Sequence, residues 1–201
     1  MKILIATGNK HKFKEIVSIL PRQTKTGETL EYVSLDDIGG LSMPEETGST
    51  LTENAEMKAV YAAKETNLPS ISDDTGLEVE FLNGRPGVHT ARYAGPHANA
   101  DANNRKLLGE LEGLFLGKRA ACFRTVACLA TPEGKVVSFE GRLDGFISSD
   151  YRGKNGFGYD PLFIVQGTNK TLAEMTETQK NAVSHRGKAF AKLSEYLTKL
   201  S

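Results

Sequence analysis

Two adjacent carboxylates, Asp73 and Asp74, constrain the folding of this chain more than any other feature. They follow a Pro-containing segment, 68–71, and precede residues 77–81, which alternate apolar and polar as a half-buried strand does. We predict a tight link at this point, because Gly76 allows the backbone to turn. Neighbouring side chains of extended backbone point opposite ways, so the two carboxylates are expected to differ in role. The alternative is an ordinary Asx-type turn.

A carboxylate held at such a link can do chemistry if it faces a cleft. It can ligate Mg²⁺ through its oxygens or accept a proton from water. Neither task follows from Asp73 and Asp74 alone, because aspartate is also common in turns. The remaining motifs decide between these interpretations.

Composition indicates one globular chain rather than a nucleic-acid-coating or membrane protein. Its 201 residues are enough to bury a core, and 25 acidic against 25 basic residues give a formal net charge of zero. We find no apolar run long enough for a signal peptide or a membrane span, so we expect a cytoplasmic protein. Cys122 and Cys128 lie an even number of residues apart, as buried filler on one strand face would, and the four histidines lack zinc-ligand spacing.

The N-terminal segment has the pattern of an anion-binding corner. A strand over residues 3–6 breaks at 7–9, and a helix with an apolar stripe then runs to Pro21. Backbone N–H groups and the positive end of the helix dipole face the same place there. The candidate phosphate-binding residues are Thr7, Gly8, Asn9, Lys10, His11 and Lys12. A plain strand–helix link with solvated lysines explains the segment as well.

A second acidic pair, Glu45 and Glu46, lies just before a predicted helix. Thr50 and Glu53 have the spacing of a capping box, and the Ala-rich helix is expected to reach about residue 66. Lys58 lies on this helix. It can reach a phosphate or remain a solvated surface lysine, and the pattern leaves both open.

The middle of the chain predicts further strands and one helix. Asn83-Gly84 is a strong hairpin signal after residues 77–82. We expect a helix over 101–114 and strands over 31–35, 120–130, 136–140, 143–147 and 162–165, the later ones as an antiparallel meander.

Two C-terminal segments add candidate site residues. The loop 152–161 places aromatic and charged side chains between closely spaced glycines, which suits a pocket wall, although a surface loop is the alternative. Its candidates are Phe157, Gly158, Tyr159 and Asp160. His185 and Arg186 follow Ser184, the expected N-cap of the last helix, where positive charge is unfavourable. A ligand anion or acceptor beside them would explain that placement.

Together these segments resemble the inosine/xanthosine triphosphate pyrophosphatase family. The matching motifs run in order along nearly the whole chain: Ala6-Thr7-Gly8-Asn9 with Lys12, Glu45-Glu46-Thr47-Gly48, Glu53-Asn54-Ala55 with Lys58-Ala59, Ser72-Asp73-Asp74-Thr75-Gly76-Leu77, Pro86-Gly87 with Ala91-Arg92-Tyr93, Gly156-Phe157-Gly158-Tyr159-Asp160-Pro161, and Lys180 with Ser184-His185-Arg186-Gly187. Thr75 is a small departure, since many members have Ser there; the hydroxyl is retained.

The resemblance implies a fold, an activity and a set of site residues. The fold is α/β: one domain over 1–201, with a mixed, partly antiparallel curved sheet flanked by helices and two lobes around a central cleft. The activity is Mg²⁺-dependent hydrolysis of ITP, dITP or XTP to the monophosphate and pyrophosphate, usually by a homodimer. The resemblance assigns the metal to Glu45 and Asp74, proton acceptance to Asp74, the phosphates to Thr7–Lys12, Lys58 and Lys180, and the rest of the nucleotide pocket to Thr75, Phe157–Asp160, His185 and Arg186.

Two other functions remain as alternatives. One is a related pyrophosphatase for modified pyrimidine or guanine nucleotides. The other is a non-catalytic nucleic-acid binder that uses the basic helix ends and Phe157; the acidic pairs argue against it, since they would repel a polyanion in the absence of metal. For hydrolysis of ITP, dITP or XTP, we assign recognition of the purine O6 to Arg186 and backbone N–H groups. Arg186→Ala is then expected to reduce activity far more than stability.

Overall fold

The computed structural model describes residues 1–200 and has a mixed α/β fold. Its strands are β1 Lys2–Ile5, β2 Glu31–Val33, β3 Ser70–Val79, β4 Pro86–Gly87, β5 Ala120–Ala130, β6 Val136–Ile147 and β7 Phe163–Val165. Its α-helices are α1 Lys10–Ile19, α2 Leu51–Thr66, α3 Ala100–Glu110, α4 Glu177–Val183 and α5 His185–Thr198. The strands form a sheet in the order β2-β1-β3-β5-β6-β7, with β4 paired to β3. A mixed sheet with helices confirms the predicted fold class.

The chain divides into two compact units, in agreement with the two predicted lobes. The first unit contains Met1–Asp74, Thr125–Gly141 and Arg186–Ser201, and the second contains Thr75–Arg124 and Arg142–His185. The single domain over 1–201 and its central cleft stay predictions. Within residues 1–200, none of the helices has both the length and the apolar character needed to cross a membrane.

The first unit is built on parallel strand pairs. β1 pairs in parallel with β2, and Leu4 and Ile5 of β1 pair with Ser70 and Ile71 of β3. The apolar stripes of α1 and α5 supply much of the core, which includes Ile3, Ile5, Ile16, Ile71, Leu129, Phe190, Leu193 and Leu197. The predicted apolar stripe of α1 is therefore confirmed. This core fixes the start of β3, where Asp73 and Asp74 lie.

The second unit is built on antiparallel pairs. The end of β3 returns through Asn83 and Gly84, both with positive φ, and pairs with β4 at Leu77–Gly87, which confirms the predicted hairpin. β6 pairs antiparallel with β7. The core of this unit includes Leu77, Val79, Leu107, Leu111, Phe123, Ile147, Tyr159 and Phe163. Cys122 and Cys128 are free, buried thiols, as expected.

Several predicted boundaries were wrong. β3 continues through Gly76, so Asp73 and Asp74 lie in a strand rather than in a link or an Asx turn. Glycine permits a turn but does not force one, and the hydrogen-bonded neighbours of β3 keep the backbone extended. β6 is likewise one strand where two were predicted, because pairing with its neighbours carries it through Gly141. α3 ends at Glu110, before the positive-φ Gly113, rather than at 114.

Candidate functional site

Asp73 is a buried carboxylate surrounded by cations of the first unit. Its Oδ2 lies 3.0 Å from Lys12 Nζ and 3.4 Å from Arg186 Nε. Arg186 Nη1 also contacts Glu15 Oε2 at 2.6 Å, from the same helix as Lys12. Burial opposes ionisation of Asp73, but the charges of Lys12 and Arg186 outweigh it and hold its pKa well below the usual value. These contacts favour the ionised form of Asp73 and make it a poor proton acceptor.

Asp74 points to the other side of β3 and has different partners. Its Oδ2 accepts a hydrogen bond from Asn54 Nδ2 at 3.3 Å, and its Oδ1 lies 3.4 Å from Lys58 Nζ. Burial raises the pKa of Asp74, and Lys58 only partly opposes this effect. The strand alternation thus gives the two adjacent carboxylates opposite pKa shifts, as their predicted difference in role requires.

Lys58 joins Asp74 to the acidic loop before α2. Its ammonium donates to Glu46 Oε1 and to the Asp73 carbonyl, each at 2.7 Å. Burial lowers the pKa of Lys58, but Asp74, Asp73 and Glu46 more than compensate, so its pKa lies above the usual value. Lys58 is therefore a buried, charged residue, and not the solvated lysine that was the alternative.

The start of α2 positions this group. Thr50 caps the helix by accepting from the Glu53 N–H, as predicted. The Glu53 carboxylate accepts from the Ser49 N–H and hydroxyl, and these bonds, with a weaker one from the Thr50 backbone, lower its pKa. Gly48 donates its N–H to Asn54 Oδ1 at 2.7 Å. A Cβ on Gly48 would lie 2.6 Å from the same oxygen, so the close approach of loop and helix requires glycine.

The acidic loop presents Glu46, rather than Glu45, to the buried carboxylates. Glu46 contacts Lys58 as described, whereas Glu45 is exposed. The assignment of a metal to Glu45 stays a prediction, and the neighbouring Glu46 is the carboxylate of this loop that shares Lys58 with Asp74. Among the described residues, no three His, Cys, Asp or Glu side chains are grouped so as to hold a metal ion by themselves.

The predicted N-terminal corner is formed, but two of its residues, Asn9 and Lys12, already make contacts within the protein. Asn9 caps α1, and its Oδ1 accepts from the His11 and Lys12 N–H groups at 2.9 and 3.3 Å. Thr7 Oγ1 in turn accepts from the Asn9 N–H at 3.2 Å. Gly8, Lys10 and His11 are exposed, while Lys12 turns inward to Asp73. An anion at this corner would meet the exposed residues first.

The second unit holds the glycine-rich loop through one buried ion pair. Asp160 Oδ2 accepts from Lys180 Nζ at 2.7 Å and from the Phe157 N–H at 2.8 Å. Lys180 Nζ also lies 4.7 Å from the centre of the Phe157 ring. A Cβ on Gly156 would collide with the Asp160 carboxylate, so this tight turn requires glycine. The structure thus brings three predicted site residues of this unit together.

The other candidates of the second unit are buried or half-buried. Tyr159 donates its hydroxyl to the Thr90 carbonyl at 3.0 Å, and burial raises its pKa. The Gly158 carbonyl accepts from Asn104 Nδ2 at 3.0 Å. The His185 ring stacks on Phe123 with ring centres 4.5 Å apart. Thr75 is half-buried and follows Asp74 directly on β3.

Sequence reasoning missed several residues that hold the candidates in place. Glu15 lies three residues after Lys12, so the helical spacing was a usable signal. Glu15 and Asp73 both contact Arg186, so these carboxylates explain why a positive charge lies in the first turn of the last helix, where a ligand anion was expected. Asn54, in contrast, belongs to the motif Glu53-Asn54-Ala55 and lies one turn before Lys58, so spacing does predict that the two share a helix face. Asn104 had no signal, because its partner, the Gly158 carbonyl, is distant in the chain.

Comparison with known proteins gives consistent matches over the whole length. A model of the Ham1 family matches residues 3–196. The dITP/XTP pyrophosphatase of Elusimicrobium minutum is 59% identical over 195 residues, which cover 97% of this chain and 98% of the relative. The enzyme of the same name from Geobacter sulfurreducens is 46% identical over 98% of this chain and 96% of its own. The solved structure of a HAM1 protein from Coxiella burnetii covers 100% of both chains with a TM-score of 0.88 at 38% identity.

Proposed function

Because this chain belongs to the Ham1 family, we propose that it hydrolyses ITP, dITP and XTP to the nucleoside monophosphate and pyrophosphate, and so removes these nucleotides from the pool. Relatives named dITP/XTP pyrophosphatase match it over nearly their whole length. The observation that carries the proposal is the pair of adjacent buried carboxylates, of which Asp73 is held ionised and Asp74 has a raised pKa.

Asp74 is the general base of the proposed reaction. A carboxylate with a raised pKa is a better proton acceptor, so Asp74 suits deprotonation of the attacking water. The water oxygen bonds to the α-phosphorus, the bond from that phosphorus to the bridging oxygen breaks, and pyrophosphate leaves. Asn54 and Lys58 each contact one oxygen of Asp74, which fixes the orientation of the base.

The basic residues of the candidate site offset the charge of the triphosphate. Lys12, Lys58 and Lys180 are the lysines that we assign to the phosphates, with Thr7 and the exposed corner of Gly8, Asn9, Lys10 and His11. The start of α1 contributes the positive end of its dipole. Lys58 keeps its charge at neutral pH, because the nearby carboxylates raise its pKa.

The metal that we propose is Mg²⁺, held by Glu46 and Asp74. Carboxylate oxygens are ligands that Mg²⁺ prefers, and the Lys58 ammonium that contacts both carboxylates indicates that a cation is favourable between them. When bound, such an ion offsets phosphate charge and makes water more acidic. Glu46→Gln is expected to raise the Mg²⁺ concentration for half-maximal activity at least about tenfold, the scale of one lost charged contact. Glu45→Gln is the matched control and should leave it unchanged.

Base recognition is assigned to Phe157, Tyr159, His185 and Arg186. The half-buried ring of Phe157 offers a face for stacking, and Arg186 with backbone N–H groups would donate to O6. Adenine has an amino group at that position, which leaves the donors unpaired, a penalty that reaches roughly 10⁴-fold. The contacts of Arg186 change one expectation. Arg186→Ala removes one of the two cations in contact with Asp73, and the guanidinium in contact with Glu15, so it will destabilise the fold as well as reduce activity.

A substrate panel with Mg²⁺ present tests the proposal. Release of pyrophosphate is measured from ITP, dITP, XTP, GTP, ATP and methylated pyrimidine triphosphates. We expect ITP, dITP and XTP to exceed ATP by at least about 10² in kcat/KM. A preference for methylated pyrimidines or GTP would support the related activity instead. Intact ITP together with salt-sensitive oligonucleotide binding would support the nucleic-acid binder.

We also propose that the protein acts in the cytoplasm as a homodimer, without a nucleic-acid or membrane partner. The family resemblance supports the dimer, and the zero net charge supports the absence of a nucleic-acid partner. Analytical ultracentrifugation at micromolar concentration should give a single species of twice the chain mass of 21.8 kDa. A species of the chain mass alone would contradict the dimer.

A further inference from the structure

The second unit contains a basic cavity that the proposed hydrolysis does not use. It has a volume of about 420 Å³ and is lined by Arg85, His89, Arg92, Tyr93 and Lys106, with neighbouring glycine and proline residues. None of the residues lining it within 1–200 is acidic. In a chain with equal numbers of acidic and basic residues, three permanent positive charges around one concavity produce a local positive potential. We propose that this cavity binds a small anion with several linked phosphates, such as inorganic triphosphate or pyrophosphate.

The loop that forms the cavity is held at both ends of its basic segment. Asn103 of α3 accepts from the Ala94 N–H at 2.7 Å and donates to the Ala91 carbonyl at 3.0 Å, so it brackets Arg92 and Tyr93. Thr90 Oγ1 accepts from the Leu77 N–H at 2.8 Å. These bonds fix the backbone before any ligand binds, which reduces the ordering cost of binding.

The cations differ in how far the protein already uses them. Arg85 lies 3.8 Å from Glu110, but its side chain is 60% exposed, so this pair is weak. Lys106 donates to the Tyr93 carbonyl at 2.7 Å, which holds its ammonium beside the cavity, and an ammonium carries three N–H donors in all. Arginine is well matched to phosphate, because its planar guanidinium donates two parallel hydrogen bonds.

Tyr93 argues for a ligand without a required base. The Lys106 ammonium lies 4.4 Å from the centre of its ring, and the residue is 8% exposed. The Tyr93 hydroxyl donates to Glu110. Burial, and to a smaller extent the Glu110 carboxylate, raises the pKa of Tyr93 to about 12. Tyr93 is thus nearly buried, with a cation over one face of its ring, so the cations are the groups best placed to recognise a ligand.

Isothermal titration of the full chain with inorganic triphosphate tests this site. The proposed active site also binds phosphates, so we expect two classes of site in the parent protein. Arg85→Gln combined with Lys106→Gln should weaken one class at least about tenfold, the scale of losing charge-assisted hydrogen bonds, and leave the other class and ITP hydrolysis unchanged. The matched control is Arg105→Gln with Lys118→Gln, which removes two exposed charges outside the cavity and should keep both classes.

Several results would overturn the proposal. One is that the double variant binds inorganic triphosphate as tightly as the parent at both classes of site. Another is that the control variant loses as much affinity as the double variant, which would show unspecific electrostatic attraction. ATP should bind the cavity as tightly as inorganic triphosphate; much tighter binding of ATP would mean that a base is read and would refute the assignment. A double variant that sediments as a monomer where the parent is a dimer would assign the cavity to contact between chains. If the parent protein does not hydrolyse ITP, that result contradicts the proposed function and not the anion site.

Discussion

The two units hold buried charge in different ways. The first unit collects three cations and four carboxylates around the start of β3: Lys12, Lys58, Arg186, Glu15, Glu46, Asp73 and Asp74. The glycine-rich loop of the second unit has one buried ion pair, Lys180 with Asp160, and packs it against an aromatic ring and a tight backbone turn. The first arrangement depends mainly on electrostatic interactions, and the second depends mainly on packing against the ring and on the tight turn.

This difference indicates how each unit contributes to chemistry. In the first unit, burial raises the pKa of both carboxylates. Asp73 contacts two cations, which reverse this effect, whereas Asp74 contacts one, which opposes it only in part. In the second unit, the ion pair fixes the loop that carries Phe157, Gly158 and Tyr159. Under the proposed function, the first unit carries the proposed proton acceptor together with Lys12, Lys58 and Arg186, and the second carries the proposed stacking ring of Phe157.

The largest expected effect is on the stability of the first unit. Asp73→Asn removes the counter-charge of Lys12 and Arg186, which are buried with it, and is expected to cost about 3–5 kcal/mol of unfolding free energy. Urea denaturation followed by circular dichroism measures it. Asp144→Asn is the control, because its pair with Arg142 is exposed, and should cost under about 1 kcal/mol. A loss that small in Asp73→Asn would mean that the network does not depend on this charge.

The next effect separates the two adjacent carboxylates. Asp74→Asn keeps the size of the side chain but removes the general base, so turnover of ITP should fall at least ~10² while the melting temperature changes little. Asp36→Asn, an exposed substitution in the same unit, should leave turnover unchanged. If Asp74→Asn retains full turnover, the proton acceptor must be another group.

A smaller effect is expected from the aromatic ring of the second unit. Phe157→Ala removes the proposed stacking face and should raise KM for ITP about tenfold, the scale of one base–aromatic stack. Its melting temperature should change little, since the ring is only half-buried. Phe115→Ala provides the control, because that ring is 69% exposed and lies in no candidate site. Equal KM values in Phe157→Ala and the parent would remove the ring from base recognition.

The smallest effect should be the same in both units. Thr50 and Thr176 each cap a helix by accepting a backbone N–H with the side-chain oxygen. Replacing either with Ala is expected to cost about 1 kcal/mol, because capping is a local interaction. Chemical denaturation of both variants tests this. A much larger cost at Thr50 would show that the cap supports the Glu46 loop as well as α2.

Local patterns predicted much of the fold and most of the candidate residues. The apolar stripe of α1, the strand at β5 and the cap at Thr50 depend on residues close in the chain, so spacing was sufficient. The motifs likewise identified Asp74, Lys58 and the loop at Phe157. Boundaries failed where a strand passed through a glycine, as at Gly76 and Gly141, because pairing with neighbouring strands decides those positions.

The sequence by itself determined that the two adjacent carboxylates face opposite sides, since alternation is a property of extended backbone. That they lie within one strand came from the structure. Only the tertiary structure decided which of them would be held ionised. That choice depends on Lys12 and Arg186 meeting Asp73, and on Lys58 bringing Glu46, rather than Glu45, to Asp74. Electrostatic interactions depend on distance and burial, and these follow from packing between segments far apart in the chain.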